Sequence, residues 1–368
     1  MPASPSSLIA SLSHARAGLS GLRPLELTAG LPAALAAVPD PRARRGVRHR
    51  LAVVLTAAVC AVVAGYRSYT AIGEWVADLP AGTALLLGID TDRRPSETMI
   101  RRLLQAVDPD LLAAAIGTWL AARIPEPAPG SRRAIAVDGK TIRGSRTRHA
   151  AARHVLAAAD QHTGAVLAST DVDSKTNEIT CFAALLDRLH DLDDTVVTAD
   201  ALHCQRDHVT YLAQRGAHWI LTAKGNQPIL HQQLAGLPWQ HVPVADRTTD
   251  RGHGRREIRT LKILSVSTGI DFPNAAQALQ IRRRRRRLDE PKRFTTETVY
   301  AITDLQAHQA KPWHLADWIR GHWSIENKVH WVRDVTYDED RSQIRTNNGP
   351  HVMATIRDAA IGALRLAG

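Results

Sequence analysis

The sequence has 368 residues, of which 44% are hydrophobic and 23% charged, as in ordinary soluble globular proteins with room for two or three folded units. Its net charge of +11 favours a polyanionic partner, most often nucleic acid. The three cysteines are widely spaced without a C-x-x-C pair, which argues against a disulfide scaffold or a structural zinc site and favours a reducing cytosol.

The first part of the chain is predicted to be a short tail followed by a helical block. Residues 1–23 are rich in Ser, Ala and Gly and are expected to be disordered. Between residues 24 and 125, apolar residues recur at intervals of three and four, the period of an α-helix, and Ser96 is a candidate N-cap. The longest apolar stretch, Leu51 to Gly65, is short for a membrane span and predicts a buried helix.

The pattern changes after the Pro/Gly-rich segment that begins at Pro125. Short apolar runs that resemble strands alternate with amphipathic runs, which predicts an α/β sheet with parallel members. Two of these strands end in an acid, in AIAVDGK at Asp138 and in TVVTADA at Asp200. A polar, β-like region follows from about residue 236 to 305, and a helical stretch from about 312 to 334.

The two aspartates form the centre of a candidate metal site. If their strands are neighbours, Asp138 and Asp200 come within a few ångströms, and they repel each other unless a cation lies between them. Mg²⁺ is bound by one or two carboxylates and by substrate phosphate oxygens, and two such ions can clamp a displacement at phosphorus. A third carboxylate would hold the second ion, and Glu326 in RGHWSIENKVHW is the candidate.

Each candidate also has an ordinary interpretation. A strand that ends in Asp often marks a turn or a helix N-cap, and a lone helical Glu326 is most often a solvated charge. His322 and His330 recur eight residues apart and could belong to a packed helical face. They could also suggest zinc, but no compact ligand set accompanies them.

Five motifs follow one another along the chain: IAVDGKTIRGS, TADALHCQ, LTAKGNQP, HGRRE and RGHWSIENKVHWVRDVTYDEDRSQIR. In this order they resemble the motifs of ISAs-type insertion-sequence transposases, the group that includes the H-repeat-associated proteins. The segment DPRARRGVRHRLAVVL, followed by YTAIGEW, resembles the associated N-terminal domain of that family. The resemblance covers roughly residues 24 to 365.

This resemblance implies an α/β fold, with an RNase H-like catalytic core that has a mixed sheet and a β-rich insertion, preceded by an all-α N-terminal domain. The implied domains are a disordered tail (1–23), a helical transposase-associated domain for DNA binding or assembly (24–125) and a DDE catalytic domain (130–368) with its insertion at about 236–305. The gap of 126 residues between the second aspartate and the glutamate is where such an insertion would fall.

The resemblance also implies a catalytic triad of Asp138, Asp200 and Glu326 that binds two Mg²⁺ or Mn²⁺ ions. Where the wider superfamily carries Tyr, Arg and Lys about the last acid, this chain has Ile319, His322 and Arg333. Arg333 keeps the positive charge, whereas His322 keeps it only when protonated. Arg320 could supply the missing phosphate contact.

Further basic and polar residues are expected to contact the DNA backbone. For several of them a turn (KGNQP), a solvated loop (RGHGRRE) or a charged sheet edge that blocks strand pairing is an equal alternative. If the run Arg282–Arg287 is a strand, three of its guanidinium groups lie on one face and could track phosphates. The expected contacts are Lys140, Arg143, Lys224, Asn226, Gln227, His253, Arg255, Arg256, Arg284, Arg286, Arg320, His322 and Arg333.

The function that the resemblance implies is DNA transposition by a bacterial insertion sequence. Such an enzyme binds terminal repeats, cleaves the DNA ends and joins the freed 3′-hydroxyl to target DNA. Its partners would be double-stranded DNA and a second copy of the chain, in the cytoplasm with the nucleoid and away from membranes. Three alternatives stay open: an RNase H-like nuclease without strand transfer, an inactive DNA-binding derivative, and a basic structural protein that would leave the ordered motifs unexplained.

Overall fold

The structure is a computed structural model that describes residues 24–45, 47–172, 177–252, 254–266, 268–290 and 293–368. The chain forms two compact units, each built from separate stretches of sequence. The first unit comprises Glu126–Val137 and His190–Trp323. The second comprises the described residues up to Pro125, together with Asp138–Leu189 and Ser324–Gly368. The predicted tail, residues 1–23, lies outside the described residues.

The N-terminal part of the second unit is helical, as predicted. Its longest apolar run forms a buried helix, and no described helix is both long enough and apolar enough to cross a membrane. The side chain of Ser96 accepts a hydrogen bond from the Met99 amide at 3.4 Å, which confirms the predicted N-cap. The helices are α1 (Pro24–Leu27), α2 (Leu31–Leu35), α3 (Leu51–Val63), α4 (Tyr69–Ala77), α5 (Ala81–Leu86), α6 (Glu97–Ala106) and α7 (Pro109–Ala121).

Three strands and a helix complete the middle of the second unit. They are β1 (Ala134–Ile142, whose second half belongs to this unit), β2 (Arg153–Asp160), β3 (Val166–Val172) and α8 (Glu178–Leu186). The strand order is β3-β2-β1, with β2 and β3 antiparallel. Helix α7 packs very closely on β3, since a Cβ atom on Gly117 would lie only 1.9 Å from the carbonyl oxygen of Leu167.

The first unit contains the rest of the strands. They are the first half of β1, then β4 (Val196–Ala199), β5 (His218–Ala223), β6 (Asp246–Gly252), β7 (Arg255–Ser265), β8 (Gln277–Arg287) and β9 (Thr295–Thr303). Their order is β1-β4-β5-β9-β8-β7-β6, in which β1, β4 and β5 are parallel and the remaining pairings are antiparallel. The four antiparallel strands β6–β9 occupy the stretch in which a β-rich insertion is expected.

Helices α9 (Arg206–Gln214), α10 (Pro228–Ala235) and α11 (Pro312–Gly321) also belong to the first unit. Leu315 and Trp318 of α11 pack with strand residues such as Leu279 to form the core of this unit. In the second unit the chain continues with a π-helical turn at Glu326–His330, α12 (Trp331–Val335) and α13 (Gly349–Leu366). Helix α13 packs on α3, α7 and β3.

Candidate active site

The two predicted catalytic aspartates follow directly on the paired residues of two neighbouring strands, Asp138 within β1 and Asp200 after β4. Strands β1 and β4 are parallel, and their last paired residues are Val137 and Ala199. Asp138 follows Val137 within β1, and Asp200 follows Ala199, the last residue of β4. Buried β-branched and small residues precede both acids, which explains why these short segments form central strands.

In the second unit, the surroundings of Asp138 contain a neutral histidine and a half-buried ion pair. His330 Nδ1 lies 3.5 Å from Asp138 Oδ2. Burial, aided by the charges of Arg333 and Lys140, lowers the pKa of His330 to about 3, so the imidazole is uncharged at neutral pH. Lys140 Nζ donates to both carboxylate oxygens of Asp334 at 2.7 Å.

Glu326 is the first residue of the π-helical turn and is exposed to solvent. His330, the last residue of that turn, is buried and contacts Asp138. A π turn closes hydrogen bonds between residues five apart, one more than in an α-helix. Single π turns inside helices occur frequently at functional sites.

A second carboxylate–histidine pair lies beside the residue that follows Asp138. Glu178 Oε1 is 2.7 Å from His154 Nε2, and His154 Nδ1 is 2.9 Å from Thr141 Oγ1. A Cβ atom on Gly139 would lie 2.3 Å from Glu178 Oε1, so the pair packs directly against the backbone there. The sequence interpretation missed this pair, because no local pattern links a helix start to a strand residue 24 positions earlier.

In the first unit, Asp200 caps a short 3-10 turn, Ala201–His203. Its Oδ1 accepts a hydrogen bond from the Leu202 amide at 2.8 Å. The interpretation of this residue as a helix N-cap is therefore confirmed, here for a 3-10 turn. The side-chain amide of Asn226 donates to the Ala201 carbonyl, and that of Gln227 donates to the Cys204 carbonyl at 2.9 Å. These two amides therefore hold the loop that carries Asp200.

His322 lies near the same acid within the first unit. Its Nδ1 is 3.2 Å from the hydroxyl of Thr198, the residue two before Asp200. Burial lowers the pKa of His322 to about 4, although the charge of Asp200 acts in the opposite direction. The residue is thus a neutral hydrogen-bonding group at physiological pH.

The outer ends of β6–β9 have two chemically different faces. On one, which we call the paired face, Arg259, Arg283 and Arg285 alternate with acids. Arg283 Nε lies 2.8 Å from Glu257 Oε1, Arg259 contacts Glu257 and Asp250, and Arg285 lies 3.5 Å from Glu297. The positive charges of this face are therefore largely compensated.

The opposite face, here called the arginine face, has no acid among the residues of these strands. Arg284 and Arg286 lie over the ring of Phe294, at 4.5 and 5.5 Å from its centroid, and hydroxyl-bearing threonines lie between the arginines. Strand alternation and register place six arginines on this face: Arg247, Arg251, Arg256, Arg282, Arg284 and Arg286.

The family model described as "Transposase DDE domain" matches residues 129–361. The chain belongs to this family. A second model, for the DDE_Tnp_1-associated domain, matches residues 33–120. The α/β class with a mixed sheet, a β-rich region before the last helices and preceding N-terminal helices is thereby confirmed.

Several proteins resemble this transposase over most of its length. "Putative transposase YncI" of Escherichia coli O157:H7 is 29% identical over 349 residues, covering 90% of this chain and 86% of that protein. The "H repeat-associated putative transposase YhhI" of Escherichia coli K12 is 28% identical and covers 89% and 88% of the two chains. The piggyBac transposase in a synaptic complex with hairpin DNA, solved by cryo-EM, has a TM-score of 0.42 and 11% identity, with coverage of 93% and 73%.

Two residues of the transposase that were expected to contact DNA are buried in ion pairs. Lys140 is only 8% exposed and bonds to Asp334. Arg333 is 1% exposed and bonds to Glu339 at 2.8 Å and to Asp358 at 3.3 Å. Both positive charges are therefore engaged by acids of the second unit and lie away from the surface.

Other expected contacts lie at the surface. Arg143 and Arg320 are exposed next to acids, Asp340 and Asp317, and Lys224 and Arg255 are exposed. His253 lies outside the described residues. Strand β8 lies between β7 and β9, so the interpretation of the arginine run as a sheet edge is wrong.

The donor chemistry of the transposase suits a hard divalent cation, since the three predicted ligands are all carboxylates. Among the described residues, no group of three or more His, Cys, Asp or Glu side chains is arranged to hold a metal ion by itself.

Proposed function

We propose that this transposase binds the terminal repeats of its own element, cleaves the DNA ends and joins the freed 3′-hydroxyl to target DNA. The observation that carries the proposal is the parallel register of β1 and β4, in which the last paired residue of each strand is followed by an aspartate. Membership of the DDE family supports the same chemistry.

In this proposal Asp138, Asp200 and Glu326 hold two divalent ions, Mg²⁺ or Mn²⁺. When bound, such ions offset the charge that develops at phosphorus and lower the pKa of the attacking water. Contacts from neighbouring groups orient two of the acids. His330 is a neutral contact for Asp138, and the Leu202 amide donates to Asp200.

The arginine face is proposed to bind the DNA backbone. Phosphate contacts position a protein on DNA without reading its sequence, and guanidinium groups bind phosphates in bidentate fashion. The arginines of the paired face are already compensated by acids, whereas those of the arginine face are available for phosphates. A homodimer that holds two element ends together is proposed as the active assembly.

Strand transfer on paired element ends with Mg²⁺ or Mn²⁺ tests the assignment. Asp138→Asn, Asp200→Asn and Glu326→Gln should each lower the rate by about 10²–10³-fold or more, as expected when a group that stabilises transition-state charge is removed. DNA binding and thermal unfolding should stay close to those of the wild type. Asp78→Asn, an exposed aspartate at the end of α4, is the matched control and should retain activity.

Full strand transfer by Asp138→Asn would contradict the assignment. Nicked but never joined products from the wild type would instead identify a nuclease without strand transfer. Binding without any metal-dependent cleavage would identify an inactive DNA-binding derivative.

A further inference from the structure

The second unit contains a cavity of about 410 Å³ that the proposed chemistry does not use. It lies where the start of α4, helix α6, the loop after α12 and helix α13 meet. Its volume is within the range of small-molecule and nucleotide pockets. The residues that line it include four arginines: Arg67, Arg101, Arg341 and Arg357.

The four guanidinium groups are only partly compensated. Arg101 Nε lies 3.3 Å from Glu97 Oε1, and Arg341 Nε lies 3.9 Å from Asp338 Oδ1. Glu97 and Asp338 are the two acids among the lining residues, and Glu339 behind them pairs with Arg357, so four arginines meet three acids and positive charge remains in excess. An excess of arginine in a concave site favours ligands that carry phosphate, because its fork of donors matches the oxygens of that group.

Arg357 is the deepest of the four. It is 2% exposed, and its Nη1 donates to Glu339 Oε2 at 2.9 Å. Its Nε and Nη2 have no hydrogen-bond partner within the described parts of the chain. Buried guanidinium donors without partners are costly, so an acceptor is expected to satisfy them in the working protein.

The cavity also has a wall suited to a sugar or a base. Tyr69, Tyr337 and Ile344 line it beside the arginines. Burial raises the pKa of Tyr337 to about 12, and the charges of Arg357 and Arg67 act against that rise, which places both cations near the ring. Apolar surface next to a cationic cluster is the combination that a phosphorylated nucleoside requires.

We propose that this cavity binds the phosphate of a nucleotide, supplied either by a free mononucleotide or by a DNA strand. The site does not depend on the proposed catalysis, since none of its lining residues belongs to the triad. A failure to find nucleotide binding in this cavity would therefore leave the strand-transfer proposal unchanged.

Isothermal titration of the full chain without divalent metal tests this site. The probes are inorganic phosphate, deoxyadenosine monophosphate and a single-stranded oligonucleotide. Arg67→Gln and Arg101→Gln change exposed side chains, so both variants should fold, whereas Arg357→Gln would disturb a buried ion network. Arg102→Gln, an exposed neighbour on α6 that does not line the cavity, is the matched control.

We expect each of the two test variants to weaken binding about tenfold, which corresponds to about 1.4 kcal/mol, and the control to stay near the wild type. If the mononucleotide shows this dependence, the ligand is a free nucleotide. If only the oligonucleotide shows it, the ligand is part of a DNA strand. Equal affinities in Arg67→Gln, Arg101→Gln and Arg102→Gln for every probe would overturn the proposal.

Discussion

At the scale of single residues, Glu339 lies at the centre of a buried group of charges in the second unit. It is fully buried and accepts hydrogen bonds from Arg333 and Arg357 at 2.8 and 2.9 Å. Burial alone would raise the pKa of Glu339, but the two guanidinium groups outweigh it and lower the pKa to about 2. The residue is therefore ionised at any pH at which the protein is used.

Glu339→Gln is expected to lower the free energy of unfolding by about 3–5 kcal/mol, because it leaves buried arginine charge uncompensated. Chemical denaturation at neutral pH measures the effect. Glu97→Gln, which breaks an exposed pair with Arg101, should cost less than about 1 kcal/mol. Since the folded pKa of Glu339 lies below its ordinary value of 4.5, its contribution is complete above pH 4.5 and is lost as pH falls toward 2.

The same measurement at several pH values checks the sign. Wild-type stability should fall between pH 4.5 and 3, and Glu339→Gln should show a shallower fall. Asp358 has the opposite dependence, because burial raises its pKa to about 6, and stability from this group falls as pH rises from 3.8 to 6. A variant as steep as the wild type below pH 4.5 would show that other carboxylates dominate acid unfolding.

Local sequence was sufficient for some residues and not for others. The position of Asp138 and Asp200 after the paired residues of β1 and β4 was predictable, because each follows a short apolar run, a pattern contained within seven residues. Arg333 was assigned to the surface because a basic residue in a helix usually lies there. Its burial depends on Glu339 and on Asp358, 25 residues further along, and no local pattern specifies that contact.

At the scale of elements, the two faces of the sheet in the β-rich region differ in charge. Among the described residues, the arginines of the paired face are paired with acids, and those of the arginine face are not. Alternation along Arg282–Arg287 predicts two faces with three arginines each. It does not predict which face meets acids, because that depends on the register in which Glu257 lies opposite Arg285 and Glu297 opposite Arg283. The sequence therefore predicts that two arginine-bearing faces exist, but it does not predict which face also carries the acids.

The two faces allow a comparison at constant net charge. Arg284→Gln with Arg286→Gln removes charge from the arginine face, and Arg285→Gln with Arg287→Gln removes the same charge elsewhere. If the first pair contacts two phosphates, the slope of log affinity against log salt should fall by about two units, because each contact contributes about 0.9. Fluorescence anisotropy with duplex DNA at several salt concentrations measures it. Equal slopes for both double variants would refute the assignment.

At the scale of the whole molecule, each of the two compact units is built from separate stretches of sequence. The sequence pattern predicted a boundary near residue 125. It did not reveal that the last helix belongs to the second unit, together with the N-terminal helices. Helix α13 supplies fifteen buried residues from Gly349 to Ala363 to this unit. Its partners α3 and α7 are some 230–300 positions earlier, so hydrophobic periodicity alone could not assign them.

Removal of residues 349–368 should therefore disrupt the second unit, since it exposes the apolar surfaces of α3 and α7. We expect the truncated chain to lose cooperative thermal unfolding and to be cleaved rapidly within residues 51–121 by a protease at low concentration. Removal of residues 367–368 alone, which are exposed, should change neither property. A truncated chain as resistant as the wild type would contradict the assignment of α13 to the core.

The arginine face has a thermodynamic consequence for the protein in the absence of DNA. Arg251, Arg256 and Arg286 lie opposite one another across three strands with no acid between them. Like charges in such positions repel, so the free sheet is held folded against its own electrostatic self-repulsion. A ligand that binds only the folded state raises its stability by mass action. Any polyanion that neutralises this face would thus act as a stabilising ligand, and substrate binding and the folding of this sheet would be thermodynamically linked.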